Sequence, residues 1–219
     1  MAISITTMAN FNVSNQAACT ELCDYLQSEA SDYFSSVSVI NASGTYHVAC
    51  VYQGVEVMSM YCNISSSGTK TLQLCNGVGL VNYWSFQTYP KVYKSSKGIF
   101  FPTGGFGGRW VFKNNRGETV VASDWWDTST NGGMAFGDCK NSNAFYRPYT
   151  GSNTANIVSA STKTAQINSL CPVVFGDCET HVNGVYWLAF KEESIPATPA
   201  VIEINGKQYV TNGIIAMEE

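Results

Sequence analysis

Charge is what this chain has least of. Asp, Glu, Lys and Arg make up 13% of its 219 residues, about half the usual fraction of a soluble domain. Lys and Arg number 12 against 16 acidic residues, a net charge of -4, and no basic cluster stands anywhere in the sequence. Electrostatic binding of nucleic acid is thereby excluded as an expectation. No apolar run approaches the roughly 18 residues of a membrane helix. The start, Met1 to Asn10, has neither a basic segment nor an apolar core, so no export leader is expected. The Gly, Asn and aromatic content excludes a coiled coil.

Ser, Thr and Asn occupy the place of the missing charge, with 23, 18 and 18 residues. Aromatic residues reach 13% and apolar residues 45%, enough for a real core and too much for a disordered chain. Eight cysteines without an export signal are expected to be reduced, buried as small hydrophobes.

Only residues 14–35 have helical periodicity. Ala18, Cys19, Leu22, Cys23, Leu26, Ala30, Tyr33 and Phe34 fall on one stripe, and Ser14 or Asn15 is placed to cap it. From Ser36 onward the period is two. Short β-rich runs alternate with Asn41-Ala-Ser-Gly44, Gln53-Gly54, Asn114-Asn-Arg-Gly117 and five Asn-Gly dipeptides. Such pairs tolerate positive φ and so close tight hairpins. Residues 124–156 read as a long ordered loop carrying short strands. The expected fold is mainly β: an antiparallel sandwich or barrel-like body over 1–194, then a proline-stiffened linker and a three-stranded meander over 195–219.

Catalytic and metal motifs are weak. His181 follows Cys178 at ligand spacing, but no second close pair completes a zinc site, and His47 sits in a predicted strand as a satisfied core or half-buried residue. No cysteine has a nucleophile signature and no Gly-x-Ser-x-Gly elbow occurs. Asp124, Asp127, Asp138 and Asp177 lie among aromatics and glycines and read as turn residues. The chain is therefore expected to be no enzyme and to need no cofactor or metal. Trp125 and Trp126, with Tyr146 and Tyr149, are the candidate contact residues, because exposed aromatics suit protein interfaces and glycans alike.

The segment Val185-Tyr-Trp-Leu-Ala-Phe190, then Ile195-Pro196, then residues 201–217 with Asn205-Gly206-Lys207, Tyr209 and Asn212-Gly213, resembles the C-terminal ending of virion proteins of tailed bacteriophages and prophages of gut Firmicutes. Tyr93 to Ile99, Phe112 to Val121 and Asn143 to Pro148 resemble their middle region. The resemblance implies a structural particle component on the tail, baseplate or capsid surface, made in the host cytoplasm and assembled into the virion. Its partners would be copies of itself and other virion proteins, with a host-surface glycan as a further one. A carbohydrate- or receptor-binding module at a particle tip and a cell-wall hydrolase are the competing readings.

Overall fold

The computed structural model describes residues 2–64, 70–75, 85–86, 91–102, 108–127, 133–138, 145–146, 169–175, 179–189, 200–211 and 215–219. These form two compact units, one within residues 6–92 and the other within 1–5, 93–138 and 143–219. The described residues form a mainly β protein with one α-helix and three antiparallel sheets. β1 (Ser4–Thr7) opens the chain, and a 3-10 turn, Ala9–Asn12, follows it.

The first unit packs α1 (Asn15–Glu29) on a five-stranded sheet. Its order is β2 (Ser36–Ala42), β3 (Thr45–Tyr52), β4 (Val55–Ile64), β5 (Lys70–Cys75), β6 (Ser85–Phe86). Ser14 caps the helix: its hydroxyl oxygen accepts from the Ala17 N–H at 3.1 Å, a contact worth about 1 kcal/mol. The expected stripe is the buried one, since Ala18, Cys19, Leu22, Cys23, Leu26, Ala30 and Phe34 are all buried. The helix ends at Glu29, six residues short of the expected 35. Ala30 leaves the helical conformation at φ -125, yet its carbonyl still accepts from the N–H groups of Tyr33 and Phe34. Ser31 and Asp32 favour such a turn over a continuing helix, and the turn keeps Phe34 on the buried side. Hairpins β2–β3 and β3–β4 close at Ser43-Gly44 and Gln53-Gly54, where both residues of each pair have positive φ.

The second unit is a sandwich of two six-stranded sheets. The first sheet runs β1, β7 (Lys91–Lys94), β8 (Gly98–Pro102), β9 (Gly108–Lys113), β10 (Thr119–Asp127), β11 (Gly133–Asp138). The second holds β12 (Phe145–Tyr146), β13 (Ser169–Phe175), β14 (His181–Ala189), β15 (Ala200–Ile204), β16 (Lys207–Thr211) and β17 (Ile215–Glu218). Its order is β12-β13-β14-β17-β16-β15. Tyr93, Phe100, Trp110, Phe112, Val120 and Ala122 from the first sheet meet Val173, Val182, Val185, Val210, Ile215 and Met217 from the second. Tyr93, Phe100 and Trp110 lie at successive register positions across β7, β8 and β9, and Phe100 stacks on Trp110 with ring centroids 3.7 Å apart. Aromatic pairs of this kind add about 0.5–1.5 kcal/mol beyond their buried area.

β15, β16 and β17 form the expected three-stranded meander, with Asn205 and Gly206 both at positive φ in its first turn. β17 then pairs with β14, so the meander continues the second sheet. The expected boundary at 194/195 falls in the range of this unit. Residues 124–127 and 133–138, within the segment expected as a loop carrying short strands, form the paired ends of β10 and β11, with Ala122 opposite Asp138 and Asp127 opposite Gly133. The nine-residue β10 is long because its β-branched start and its two tryptophans all favour extended backbone.

Candidate functional site

Trp125 and Trp126 lie in β10, opposite Ala135 and Met134 of β11. β10 is flanked by β9 and β11, and its pairing with β9 ends at Asp124, so the two tryptophans are paired through β11. Tyr146 lies in β12, opposite Val174 of β13. Only the backbone is described at these three positions, and Tyr149 lies outside the described residues. Asp124 and Asp127 fall on β10 and Asp138 on β11, while Asp177 and Cys178 are outside the described residues.

The two histidines are far apart in role. His181 opens β14, and its backbone trades hydrogen bonds with Asn115: its N–H donates to Asn115 Oδ1 at 3.1 Å, and its carbonyl accepts from the Asn115 N–H at 2.8 Å. Arg116 and Glu179 form an exposed ion pair beside it at 3.8 Å. His47 is half-buried and stacks on Tyr61 with ring centroids 4.6 Å apart. It is thus the half-buried member of the two expected alternatives, and its Nδ1 has no hydrogen-bond partner among the described residues.

Cys19, Cys23 and Cys50 form no disulfide and are buried where α1 meets β3. Burial, then the charge of Asp24 and the neighbouring Cys19, push the Cys23 thiol up against an opposing bond to the Val39 backbone. Burial, then Cys23 and Glu56, push Cys50 well up. Both are thus held in the thiol form at neutral pH, away from the thiolate that a cysteine nucleophile uses. Side chains of the other five cysteines lie outside the described residues.

An open groove of about 510 Å³ runs beside the start of α1, lined by Asn10, Ser14, Gln16, Thr20, Glu21 and Asp24 among others. Its Glu21 carboxylate is already engaged, accepting from the N–H groups of Ala9 at 2.8 Å and Asn10 at 2.7 Å. A second polar group sits on the C-terminal sheet. Glu218 accepts from Lys207 Nζ at 2.7 Å and from the Tyr186 hydroxyl at 3.2 Å, and Tyr186 meets Tyr209 edge-on. The Lys207 hydrogen bond, aided by its charge and by Tyr186 and Lys97, holds the Glu218 carboxyl below its ordinary 4.5 in spite of partial burial.

That shift has a consequence for stability. The folded-state value lies below the unfolded one, so the contribution of Glu218 is complete above 4.5 and is lost as pH falls through the folded value. Glu218→Gln is expected to flatten the acid side of the stability profile of the second unit while lowering its neutral-pH stability slightly. Thermal melts across that range check this, and an acid limb identical to that of the parent chain would contradict it.

The surface that stands out is an edge. Among the described residues β2 ends its sheet, and its residues Ser36, Ser38, Ile40, Asn41 and Ala42 are exposed, Ile40 at 39%. Over seven residues it carries no charge, proline or glycine, the devices by which proteins usually blunt a free strand. Ser36 onward reads as a strand in the sequence, but its place at the end of the described sheet order has no local sign. No family model, curated protein or solved structure matches this chain.

Proposed function

We propose that this chain is a non-enzymatic structural component of a bacteriophage virion, on the tail, baseplate or capsid surface, that assembles through its own surfaces. The observation that carries the reading is the exposed, uncharged edge strand β2. A monomer with such an edge risks unplanned pairing, whereas a particle subunit uses it. The low charge of the whole chain agrees, because subunit interfaces rely on apolar and hydrogen-bonding surface more than on charge. The resemblance of residues 185–217 to the ends of virion proteins supports a phage as the setting of the assembly.

Quantitative mass spectrometry of purified particles from a source strain tests this. The chain is expected at a fixed copy number that matches a symmetry of the particle. Its absence from particles, together with specific glycan binding or activity on peptidoglycan, would replace the reading with a receptor-binding module or a cell-wall hydrolase.

A further inference from the structure

Asparagine followed by glycine is reactive as well as turn-forming. The backbone nitrogen of the glycine can attack the asparagine side-chain amide, and a residue without a β-carbon obstructs that approach least. In a folded chain the pair reacts where water reaches it, the asparagine amide is free of hydrogen bonds and the glycine nitrogen lies outside the sheet ladder. Two Asn-Gly pairs fall among the described residues, and they differ. Asn205-Gly206 is the two-residue turn between β15 and β16, with Ile204 opposite Lys207. Both of its residues are exposed, at φ 52 and 77, and nothing lies within 4 Å of a β-carbon placed on Gly206. In such a turn the flanking pair exchanges the backbone hydrogen bonds, which leaves the Gly206 N–H to solvent. The Asn205 side chain has no hydrogen-bond partner among the described residues, and the adjacent Lys207 is held by Glu218. The turn asparagines Asn41, Asn114 and Asn115, by contrast, all have their side-chain amides engaged. Asn183-Gly184 lies inside β14, where the Lys97 chain covers the glycine: a β-carbon there would meet Lys97 Cγ at 2.6 Å. Its neighbours Val182 and Val185 are fixed by Asn114 and Met217.

We propose that Asn205 is a self-modification site, deamidated by attack of Gly206, and that its conversion loosens β15 from β16. The Gly206 nitrogen, its proton taken by hydroxide, forms a bond to Asn205 Cγ. The Cγ–Nδ2 bond breaks, and Nδ2 leaves as ammonia with a proton from water, which regenerates the hydroxide and leaves a cyclic succinimide. Water then opens the ring. Attack at the side-chain carbonyl gives aspartate, and attack at the main-chain carbonyl gives isoaspartate, whose backbone runs through Cβ and Cγ and is one carbon longer. No change of oxidation state occurs, and water is the only co-reactant. Nothing in this chemistry depends on the assembly reading above. The structural effect follows from the turn. A two-residue connection places Ile204 opposite Lys207, and a longer backbone at position 205 removes that register. β15 is the last strand of its sheet order among the described residues, so β16 alone holds it through the ladder. Ile204 and the partly buried Ile202 pack with Tyr209 and leave that cluster as the strand shifts. Ile202 and Tyr209 face each other across the two strands, so their amides report the change.

The test is to hold the folded, full-length chain in mildly alkaline buffer and map its peptides by mass spectrometry over time. Deamidation is read as a mass gain at each site, and isoaspartate is assigned by electron-based fragmentation. Position 205 should convert, mainly to isoaspartate, at a rate that rises with hydroxide. Asn183 should react at least about tenfold more slowly, the effect of about 1.4 kcal/mol of added barrier. Asn76, Asn131 and Asn212 also precede glycine but lie outside the described residues, and the same maps resolve them separately. Hydrogen exchange on the aged chain should show the amides of Ile202 and Tyr209 losing protection. Asn205→Gly keeps a residue suited to positive φ and removes the reactive amide, so its aged sample should keep both amides protected. Freshly prepared Asn205→Asp adds the charge without lengthening the backbone and should keep them protected as well. Position 205 left unmodified, after an unfolded peptide of residues 203–207 has converted completely, would overturn the proposal. Equal rates at 183 and 205 would overturn it too, as would full conversion at 205 with Ile202 and Tyr209 as protected as before. Each of these results leaves the assembly reading standing, and absence from particles bears on that reading alone.

Discussion

A chain that stops at residue 194 is expected to lose its folded sandwich. The deleted segment holds β15, β16 and β17, and three of its residues, Val210, Ile215 and Met217, are fully buried between the two sheets. Trimming one buried side chain of this size to Ala costs about 2–5 kcal/mol, so losing all three removes roughly what a whole domain has in reserve, about 5–15 kcal/mol. The backbone suffers as well. Val185, Tyr186 and Trp187 of β14 would lose their pairing with β17, and an interior strand would become an edge with a buried face. Near-ultraviolet circular dichroism is expected to lose the signal of the packed Phe100–Trp110 pair, with no cooperative transition left for this unit. The opposite result, a truncated chain that melts as the full one does and only fails to assemble, would make the tail an interface and not part of the core.

Such a role for the tail was out of reach of sequence reasoning, and the reason is physical. Turn chemistry is local, so Asn205-Gly206, Ser43-Gly44 and Gln53-Gly54 announce their hairpins through residues that tolerate positive φ. Helical periodicity is local too, and the stripe from Ala18 to Phe34 is buried as its spacing implies. The pairing of β17 with β14 brings together residues some thirty positions apart with no marker in either strand. Asn183-Gly184 illustrates the limit. It looks like another hairpin turn, yet it lies inside β14, where Gly184 has φ 74. Before it Val182 bridges to Asn114 at the opposing sheet, and after it Val185 pairs with Met217. The glycine sits where the register of β14 against β13 shifts, between the Val174–His181 and Pro172–Tyr186 pairs. The candidate surface was hidden for a similar reason: Ser36–Ala42 alternates like any half-buried strand, and its edge position depends on the whole sheet order.

Gly98→Ala is expected to be among the most damaging single substitutions in the second unit. Gly98 sits in β8 opposite Phe112 of β9. A β-carbon there would lie 2.4 Å from the Val111 carbonyl oxygen, 2.9 Å from Met217 Sδ and 3.4 Å from Phe112 Cβ. The sulfur belongs to a flexible side chain and can yield. The oxygen belongs to the backbone of the paired strand, so β8 must move away from β9 and carry Phe100 off the face of Trp110. Overpacking of a core costs about 1–3 kcal/mol and occasionally more, and a backbone clash puts this site at or beyond the top of that range. The loss should appear as a fall of roughly 6–12 °C in Tm, given about 2–4 °C per kcal/mol in chains of this size. Gly206→Ala is the control. Gly206 has φ 77 with nothing within 4 Å of a β-carbon, so only backbone conformation opposes the change, at about 1–2 kcal/mol. Adding Met217→Ala separates the two sources of strain at Gly98. It removes the sulfur contact but leaves the Val111 oxygen in place, so the double variant is expected to be less stable than Gly98→Ala alone. Recovery in the double variant would instead locate the strain at Met217, and the tight approach of β8 to β9 would no longer explain why a glycine stands at this position.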